Sequence, residues 1–169
     1  MIQKKVCMVG LFGTGKTSLV QRFVHSMFSE RYLSTVGVKI DRKPIQVDGA
    51  ELTLVLWDLA GRDGHEDITT SYLRGAHAIL YVADGTRRET CDQLSELRAL
   101  VRDAAGEVPE VLALNKSDLK DRWVMAPADE QTLSKAFDLV RTSAKTGDGV
   151  EEAFRRIGRA TLTTKEARS

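Results

Sequence analysis

A glycine-rich segment near the amino terminus constrains the fold of this chain more than any other feature. Residues 10–17 read Gly-Leu-Phe-Gly-Thr-Gly-Lys-Thr; they follow the apolar run 6–9 and precede a segment with helical periodicity. Glycines at positions 10, 13 and 15 let the backbone curl so that successive N–H groups face one anion, and the following helix adds its positive dipole end. The spacing G-x-x-x-x-G-K-[ST] between a strand and a helix therefore predicts a phosphate-binding loop.

The polar residues of this loop have the chemistry that a bound polyphosphate requires. Lys16 can present a mobile cation to the β- and γ-phosphates, and the Thr17 hydroxyl can ligate Mg²⁺. The alternative, an ordinary glycine-rich turn, would require neither the Lys-Thr pair nor this spacing. We therefore expect a nucleoside triphosphate with Mg²⁺, and its phosphates are expected to contact six consecutive residues: Gly13, Thr14, Gly15, Lys16, Thr17 and Ser18.

Composition and charge narrow the class of protein. The 169 residues are 42% hydrophobic and 29% charged, as expected for one folded domain over residues 1–169. The 25 basic and 24 acidic residues nearly balance, so we expect no attraction to nucleic acid. Cys7 and Cys91 lie in apolar patterns that favour buried, reduced thiols, which is typical of a cytoplasmic protein.

The chain ends and the apolar runs predict no intrinsic membrane anchor. Residues 1–5 run directly into the first predicted strand and leave no room for a signal peptide. No apolar run approaches membrane-spanning length, and residues 163–169 contain no cysteine for prenylation. We expect a cytoplasmic monomer.

Strand and helix patterns alternate along the rest of the chain. Apolar residues recur at helical spacing in three groups: Val20, Phe23, Val24 and Met27; Leu94, Leu97 and Val101; and Val150, Ala153, Phe154 and Ile157. Apolar and polar residues alternate on both sides of Asp48-Gly49, which predicts a hairpin. The apolar runs 78–83 and 111–114 predict central strands, and residues 138–142 a weaker last strand. We predict an α/β fold: a mostly parallel six-stranded sheet with one antiparallel edge strand, helices on both faces, and ligands at the carboxyl ends of the strands.

A second motif closes the third predicted strand. Asp58 ends an alternating apolar segment, and Gly61 follows three residues later. The carboxylate can hold Mg²⁺ opposite Thr17, and Gly61 lets a backbone N–H approach the γ-phosphate. Asp-x-x-Gly is also a common turn signal, but its position after a phosphate loop favours a γ-phosphate sensor.

Residues 115–118, Asn-Lys-Ser-Asp, have the chemistry to recognise guanine. The Asp118 carboxylate can accept hydrogen bonds from N1–H and the exocyclic amino group of guanine. Adenine would leave that carboxylate unpaired, and sites of this kind discriminate by about 10⁴ or more. The Lys116 stem can lie along the base plane, and Asn115 can tie neighbouring loops together. The same residues would suit a surface turn, but the apolar run 111–114 before them favours a base site.

Two weaker signals complete the expected site. Ser143, Ala144 and Lys145 end the last predicted strand, where backbone donors can reach the guanine O6. Thr35 could join the Mg²⁺ shell only in the presence of a γ-phosphate, which would order its loop. The segment around Thr35 alone is also consistent with a plain exposed loop, and residues 143–145 gain weight only from the other motifs.

Together these motifs resemble those of the Ras superfamily of small GTPases over nearly the whole chain. Residues 34–38, the pair Trp57-Asp58 and residues 68–77 are most similar to the Rab branch. The resemblance implies a P-loop NTPase G domain that hydrolyses GTP to GDP. It also implies a catalytic set: Lys16, Thr35, Gly61 and Arg62.

The resemblance implies further roles for loop residues. Phe28 would pack against the guanine base, and Tyr32 would cover the phosphates. The loops around residues 32–40 and 61–74 would be switches that effector, exchange and activating proteins read.

Three departures from the family pattern affect the expected activity. Arg62 replaces the glutamine that orients the attacking water, and a guanidinium can only donate hydrogen bonds. Phe12 replaces a small residue, so its ring would crowd an arginine finger from an activating protein. Residues 163–169 lack the lipidated tail that the Rab resemblance implies, so we expect either a truncated chain or a soluble member of the family. We therefore expect slow intrinsic hydrolysis. Three nearby residues could orient the attacking water in place of the glutamine, or could simply be solvated loop residues: Asp63, His65 and Glu66.

Three functions stay open on the sequence alone. The first is a GTP-dependent molecular switch, and the second is a nucleotide-binding scaffold with little or no GTPase activity. The third is a kinase or ATPase that shares only the phosphate loop. Residues 115–118 argue against the third, and the Arg62→Gln variant would discriminate the first two.

Overall fold

The protein is described from a computed structural model covering residues 2–29, 37–59 and 70–168, with side chains described as far as residue 163. Within these ranges, six strands form one sheet in the order β2-β3-β1-β4-β5-β6. Their bounds are Ile2–Val9 (β1), Val38–Val47 (β2), Ala50–Leu59 (β3), Ala78–Asp84 (β4), Glu110–Asn115 (β5) and Asp138–Arg141 (β6). Among these described strands, only the edge pair β2 and β3 is antiparallel, so the predicted sheet is confirmed.

Helices cover both faces of this sheet, as predicted. The α-helices are Lys16–His25 (α1), Arg88–Asp92 (α2), Leu94–Ala105 (α3), Pro127–Ala136 (α4) and Val150–Arg168 (α5), and single 3₁₀ turns occupy Thr70–Leu73 and Lys120–Arg122. The sequence patterns did not predict α4. None of its residues is buried, so it lacks the apolar stripe by which a helix is recognised in a sequence.

Alternating strand residues divide the core between the two faces of the sheet. Along β4, Leu80 and Val82 face the cluster beneath α1 and α5, whereas Ile79 and Tyr81 face the cluster beneath α3. Phe23 of α1 and Phe154 of α5 stack with ring centroids 4.1 Å apart on the first side. These buried strands hold the described loops that follow β1, β4 and β5 in fixed relative positions.

The predicted hairpin turn at Asp48-Gly49 is present. Asp48 has φ of 51° and Gly49 has φ of 82°, the left-handed pair that a two-residue turn needs to match the twist of its strands. The turn sets the register in which Val47 pairs with Ala50.

Two apolar residues differ from the predicted pattern. Met27 lies outside α1 and is exposed, because the helix ends at His25 and Ser26 adopts a left-handed φ of 54°. Ile40 on β2 is also exposed, since this edge strand is covered less than the central ones. Among the described residues, no helix is both long and apolar enough to cross a lipid bilayer.

Candidate nucleotide site

The glycine-rich loop joins β1 to α1 and packs against two neighbouring strands. A Cβ atom on Gly10 would lie 2.3 Å from the carbonyl oxygen of Val82 in β4. Gly15 has φ of 102°, and a Cβ there would lie 2.3 Å from Nδ2 of Asn115 at the end of β5. Both positions therefore exclude any side chain, which lets the loop sit close over the sheet.

Three consecutive carbonyl groups of this loop are held by side chains from outside it. The bonds run from Arg87 Nη1 to the Phe12 carbonyl (3.0 Å), from Lys116 Nζ to the Gly13 carbonyl (3.0 Å) and from Asn115 Nδ2 to the Thr14 carbonyl (3.0 Å). A trans peptide holds its N–H opposite its C=O, so the amides of Gly13 and Gly15 are directed to the other side of the loop, whereas the Thr14 amide lies 3.4 Å from the Leu11 carbonyl oxygen. Such an array of amides is suited to an anion.

Lys16 begins α1 and is almost completely buried. Its Nζ donates to the carbonyl oxygens of Gly10 and Leu11, each at 3.1 Å. Burial lowers the pKa of this ammonium from 10.5 to about 8, against the opposing attraction of Asp58. Lys16 is therefore a desolvated cation, a state in which interaction with an anion is strong.

Thr17 and Asp58 lie together beside Lys16. The Thr17 hydroxyl donates to Oδ2 of Asp58 at 2.6 Å, and Asp58 is fully buried near the end of β3. Hydroxyl and carboxylate oxygens are the donors that Mg²⁺ prefers, so this pair fits the predicted metal site. The other residues predicted around the γ-phosphate, Thr35, Gly61 and Arg62, lie outside the described residues, as does Tyr32.

Asn115 joins three loops, as its predicted role requires. Its Nδ2 donates to the Thr14 carbonyl, and its Oδ1 accepts a hydrogen bond from Oγ1 of Thr142 at 3.0 Å. Next to it, Lys116 has φ of 70°, a strained conformation that concentrates at functional sites. Lys116 Nζ lies 2.9 Å from Oδ2 of Asp84 and bonds the Gly13 carbonyl.

Asp118 is held by the loop after β6. Oδ1 of Asp118 accepts a hydrogen bond from the Ser143 hydroxyl at 2.7 Å, and Ser143 in turn accepts one from the Thr146 amide. Ser143 and Ala144 are buried, whereas Lys145 is exposed. Phe28, predicted to contact the base, follows α1 and is 37% exposed.

Three functional-site contacts were missed by reasoning from the sequence. Arg22 on α1 donates through Nε to the Ala144 carbonyl at 2.7 Å and through Nη2 to the Lys145 carbonyl. Asp84 reaches the site through its ion pair with Lys116, and Arg87 reaches it through its hydrogen bond to the Phe12 carbonyl. Arg22 and Arg87 bond carbonyl groups 122 and 75 residues away, so no local spacing could have indicated these contacts.

Known proteins with similar sequences match nearly all of this chain. The sequence model of the Ras family matches residues 5–163. Ras-related protein Rab-1 of Theileria annulata is 36% identical over 160 residues, covering 92% of this chain and 73% of the relative. Ras-related protein Rab-1 of Theileria parva is 35% identical over the same length and coverage. Identity and coverage of this extent, on the sheet and site described above, show that the chain belongs to the Ras family as a Rab-like small GTPase.

Proposed function

We propose that this protein is a molecular switch that binds GTP with Mg²⁺, hydrolyses it slowly to GDP, and signals through loops around residues 32–40 and 61–74. The observation that carries the proposal is the junction at Asn115, which ties the phosphate loop to the loop after β6. One side chain thereby sets the distance between the phosphate end and the base end of a site. Asp118 and Lys16 lie on the segments that it connects.

The phosphate-binding end of the site combines backbone amides with the ammonium group of Lys16. The amides of Gly13 and Gly15 and the cation of Lys16 would bind the β- and γ-phosphates, with Thr17 and Ser18 at the start of α1 completing the contacts. Mg²⁺, held by Thr17, Asp58 and Thr35, would neutralise charge on the two terminal phosphates. Gly61 would offer its N–H to the γ-phosphate.

The base end has the chemistry to bind guanine. The Asp118 carboxylate, oriented by the Ser143 hydroxyl, would accept from the base N1–H and amino group. Lys116 would lie along the ring, and Phe28 would pack against it. The amides of Ala144 and Lys145 would reach O6, with both of their carbonyls held by Arg22.

The identities of Arg62 and Phe12 favour slow GTP hydrolysis. Arg62 cannot accept a hydrogen bond from the attacking water, so it cannot replace a glutamine in orienting it. The Phe12 ring is 45% exposed on the phosphate loop, where it would obstruct an incoming arginine from a partner. The fold and Lys16 would still favour nucleotide binding, so a long-lived GTP state is the expected consequence.

The nucleotide retained after purification tests this function. We expect stoichiometric GDP or GTP that requires Mg²⁺ for retention, and single-turnover conversion of GTP to GDP with a rate constant that can be measured. Retention without any conversion would favour the second candidate, a nucleotide-binding scaffold, which Arg62 and Phe12 keep under consideration. Absence of guanine nucleotide at any Mg²⁺ concentration would contradict both.

Replacement of Arg62 by glutamine is expected to accelerate single-turnover GTP hydrolysis by about tenfold to a hundredfold, because glutamine can both accept from the water and donate to the γ-phosphate. Single-turnover assays with GTP and Mg²⁺ measure the rate. Arg74→Gln is the matched control, since Arg74 is an exposed arginine in the same predicted switch region. Equal rates for wild type and Arg62→Gln would show that Arg62 does not limit the chemistry.

A further inference from the structure

The turn that follows β4 packs against the phosphate loop and has no role in the function proposed above. It begins at Asp84, the fully buried last residue of the strand. Oδ1 of Asp84 accepts hydrogen bonds from the amide of Thr86 at 2.8 Å and from its hydroxyl at 2.6 Å. The Arg87 amide donates to the Asp84 carbonyl at 3.0 Å and closes the turn. A carboxylate that bonds the backbone two residues on is a strong local constraint.

Thr90 fixes the same turn from α2. Its buried hydroxyl accepts a hydrogen bond from the Asp84 amide at 2.8 Å and lies 2.7 Å from the Arg87 carbonyl, to which it can donate. On the outer side, a Cβ on Gly85 would lie 2.1 Å from the ring of Trp123, so the turn is packed tightly there as well. Residues 84–87 therefore form a rigid platform from which the Arg87 side chain extends.

Two cations connect this platform to neighbouring peptides of the phosphate loop. Arg87 bonds the Phe12 carbonyl directly at 3.0 Å, with its Nε placed 3.1 Å from Glu89. Lys116 bonds the Gly13 carbonyl at 3.0 Å and pairs with the buried Asp84 carboxylate at 2.9 Å. The turn thus contacts two successive carbonyl groups of the phosphate loop. Arg87 bonds the Phe12 carbonyl directly, and Asp84 pairs with the Lys116 that bonds the Gly13 carbonyl.

We propose that Asp84 and Arg87 are positioning residues of the nucleotide site: they fix the peptides after Phe12 and Gly13, so that the Gly13 amide faces the β-phosphate and the loop keeps its curve, and thereby slow nucleotide release. This inference rests on the proposed function. It assigns a role to a turn that carries none of the motifs of the site.

The exposure of Arg87 separates this role from a contribution to folding. The Arg87 side chain is 38% exposed, and exposed ion pairs contribute little to stability. Loss of its bond to Phe12 would nevertheless let one peptide rotate in the array that contacts the phosphate. Arg87 should therefore affect nucleotide release much more than thermal unfolding.

Dissociation of a fluorescent GDP analogue from the full chain with Mg²⁺ tests the proposal. Arg87→Met keeps the aliphatic stem and removes the donors, and we expect release about tenfold faster, the equivalent of one hydrogen bond to a charged group. Arg87→Lys, which keeps a cationic donor, should restore part of the difference. Arg88→Met is the control, because the neighbouring Arg88 pairs with Asp129 instead.

Competition by GDP and GMP provides a second readout. Since the platform acts on peptides assigned to the β-phosphate, Arg87→Met should weaken GDP binding by about tenfold more than GMP binding. A general loosening of the site would weaken both nucleotides by the same factor. Asp84→Asn, which removes the charge that holds Lys116, should show the same selectivity; if that variant does not fold, the Arg87 series decides.

The outcomes separate this inference from the proposed function. A wild-type protein that does not bind GDP contradicts the proposed function. A wild-type protein that binds GDP, with Arg87→Met releasing it at the wild-type rate or at the rate of Arg88→Met, overturns the role of the turn alone. Equal loss of GDP and GMP affinity would also overturn it.

Discussion

Replacement of Asp118 by asparagine is expected to change the nucleotide preference from guanosine to xanthosine phosphates by a factor of about 10⁴. The carboxylate can only accept hydrogen bonds, which matches the N1–H and amino group of guanine. An asparagine amide would donate to the carbonyl that xanthine carries in place of that amino group. With guanine, the same amide would face another donor.

The structure indicates that this variant will keep its fold. Asp118 is only partly buried, and its Oδ1 accepts from the Ser143 hydroxyl at 2.7 Å, a bond that an asparagine carbonyl can also accept. Competition of labelled GDP by unlabelled GDP and by xanthosine diphosphate measures the change in preference. Asp121→Asn, three residues on and exposed, is the matched control. A variant at position 118 that still prefers GDP would contradict the assignment of the base site.

Replacement of Lys16 by methionine is expected to have opposite effects on nucleotide affinity and on stability. GDP affinity should fall by about 10² to 10⁴, since two hydrogen bonds between an ammonium and phosphate oxygens contribute about 1.5–3 kcal/mol each. Without nucleotide, the Lys16→Met variant should be at least as stable as the wild type. The reason is that burial disfavours the charged form of this lysine, as its lowered pKa indicates.

The destabilising effect of burying the charged Lys16 also predicts how the stability of the wild type changes with pH. The pKa of Lys16 is about 8 in the folded protein, below its ordinary value of 10.5. Between these values the unfolded chain binds more protons, so stability rises with pH, by roughly 3 kcal/mol over the window. Below pH 8 the lysine is charged in both states and the cost of burying it is fully present.

Thermal unfolding of stripped protein from pH 7.5 to 10.5 measures this effect as a difference between variants. The wild type should gain stability relative to Lys16→Met as the pH rises, while Lys135→Met, an exposed lysine on α4, should follow the wild type. A constant difference between wild type and Lys16→Met across this range would contradict the account of Lys16 as a desolvated cation.

Local sequence patterns predicted the sheet and the positions of the main site segments. The phosphate loop and residues 115–118 are contiguous, and each directly follows a strand with an apolar pattern. Because parallel strands bring their carboxyl ends to one edge, these two segments had to lie near each other. The Thr14 carbonyl is accordingly 3.0 Å from Asn115 Nδ2, although 101 residues separate them.

The features that sequence reasoning missed are an exposed helix and side-chain contacts between residues far apart in the chain. The helix α4 buries none of its residues, so no periodic apolar stripe marks it. Arg22 and Arg87 bond backbone carbonyl groups, and a carbonyl is present at every residue whatever its type. No residue pattern identifies such a partner. The expected roles of Thr35, Gly61 and Arg62 stay predictions, because these residues lie outside the described ranges.

Competition between purine nucleotides on the wild-type protein tests the central claim most directly. The claim is that one site combines a base recognised by Asp118 with phosphates bound by the loop that ends in Lys16 and Thr17. Labelled GDP should be displaced by equimolar unlabelled GDP or GTP, and ATP should fail to displace it at about a thousandfold excess. Displacement by ATP at concentrations similar to those of GTP would contradict the account.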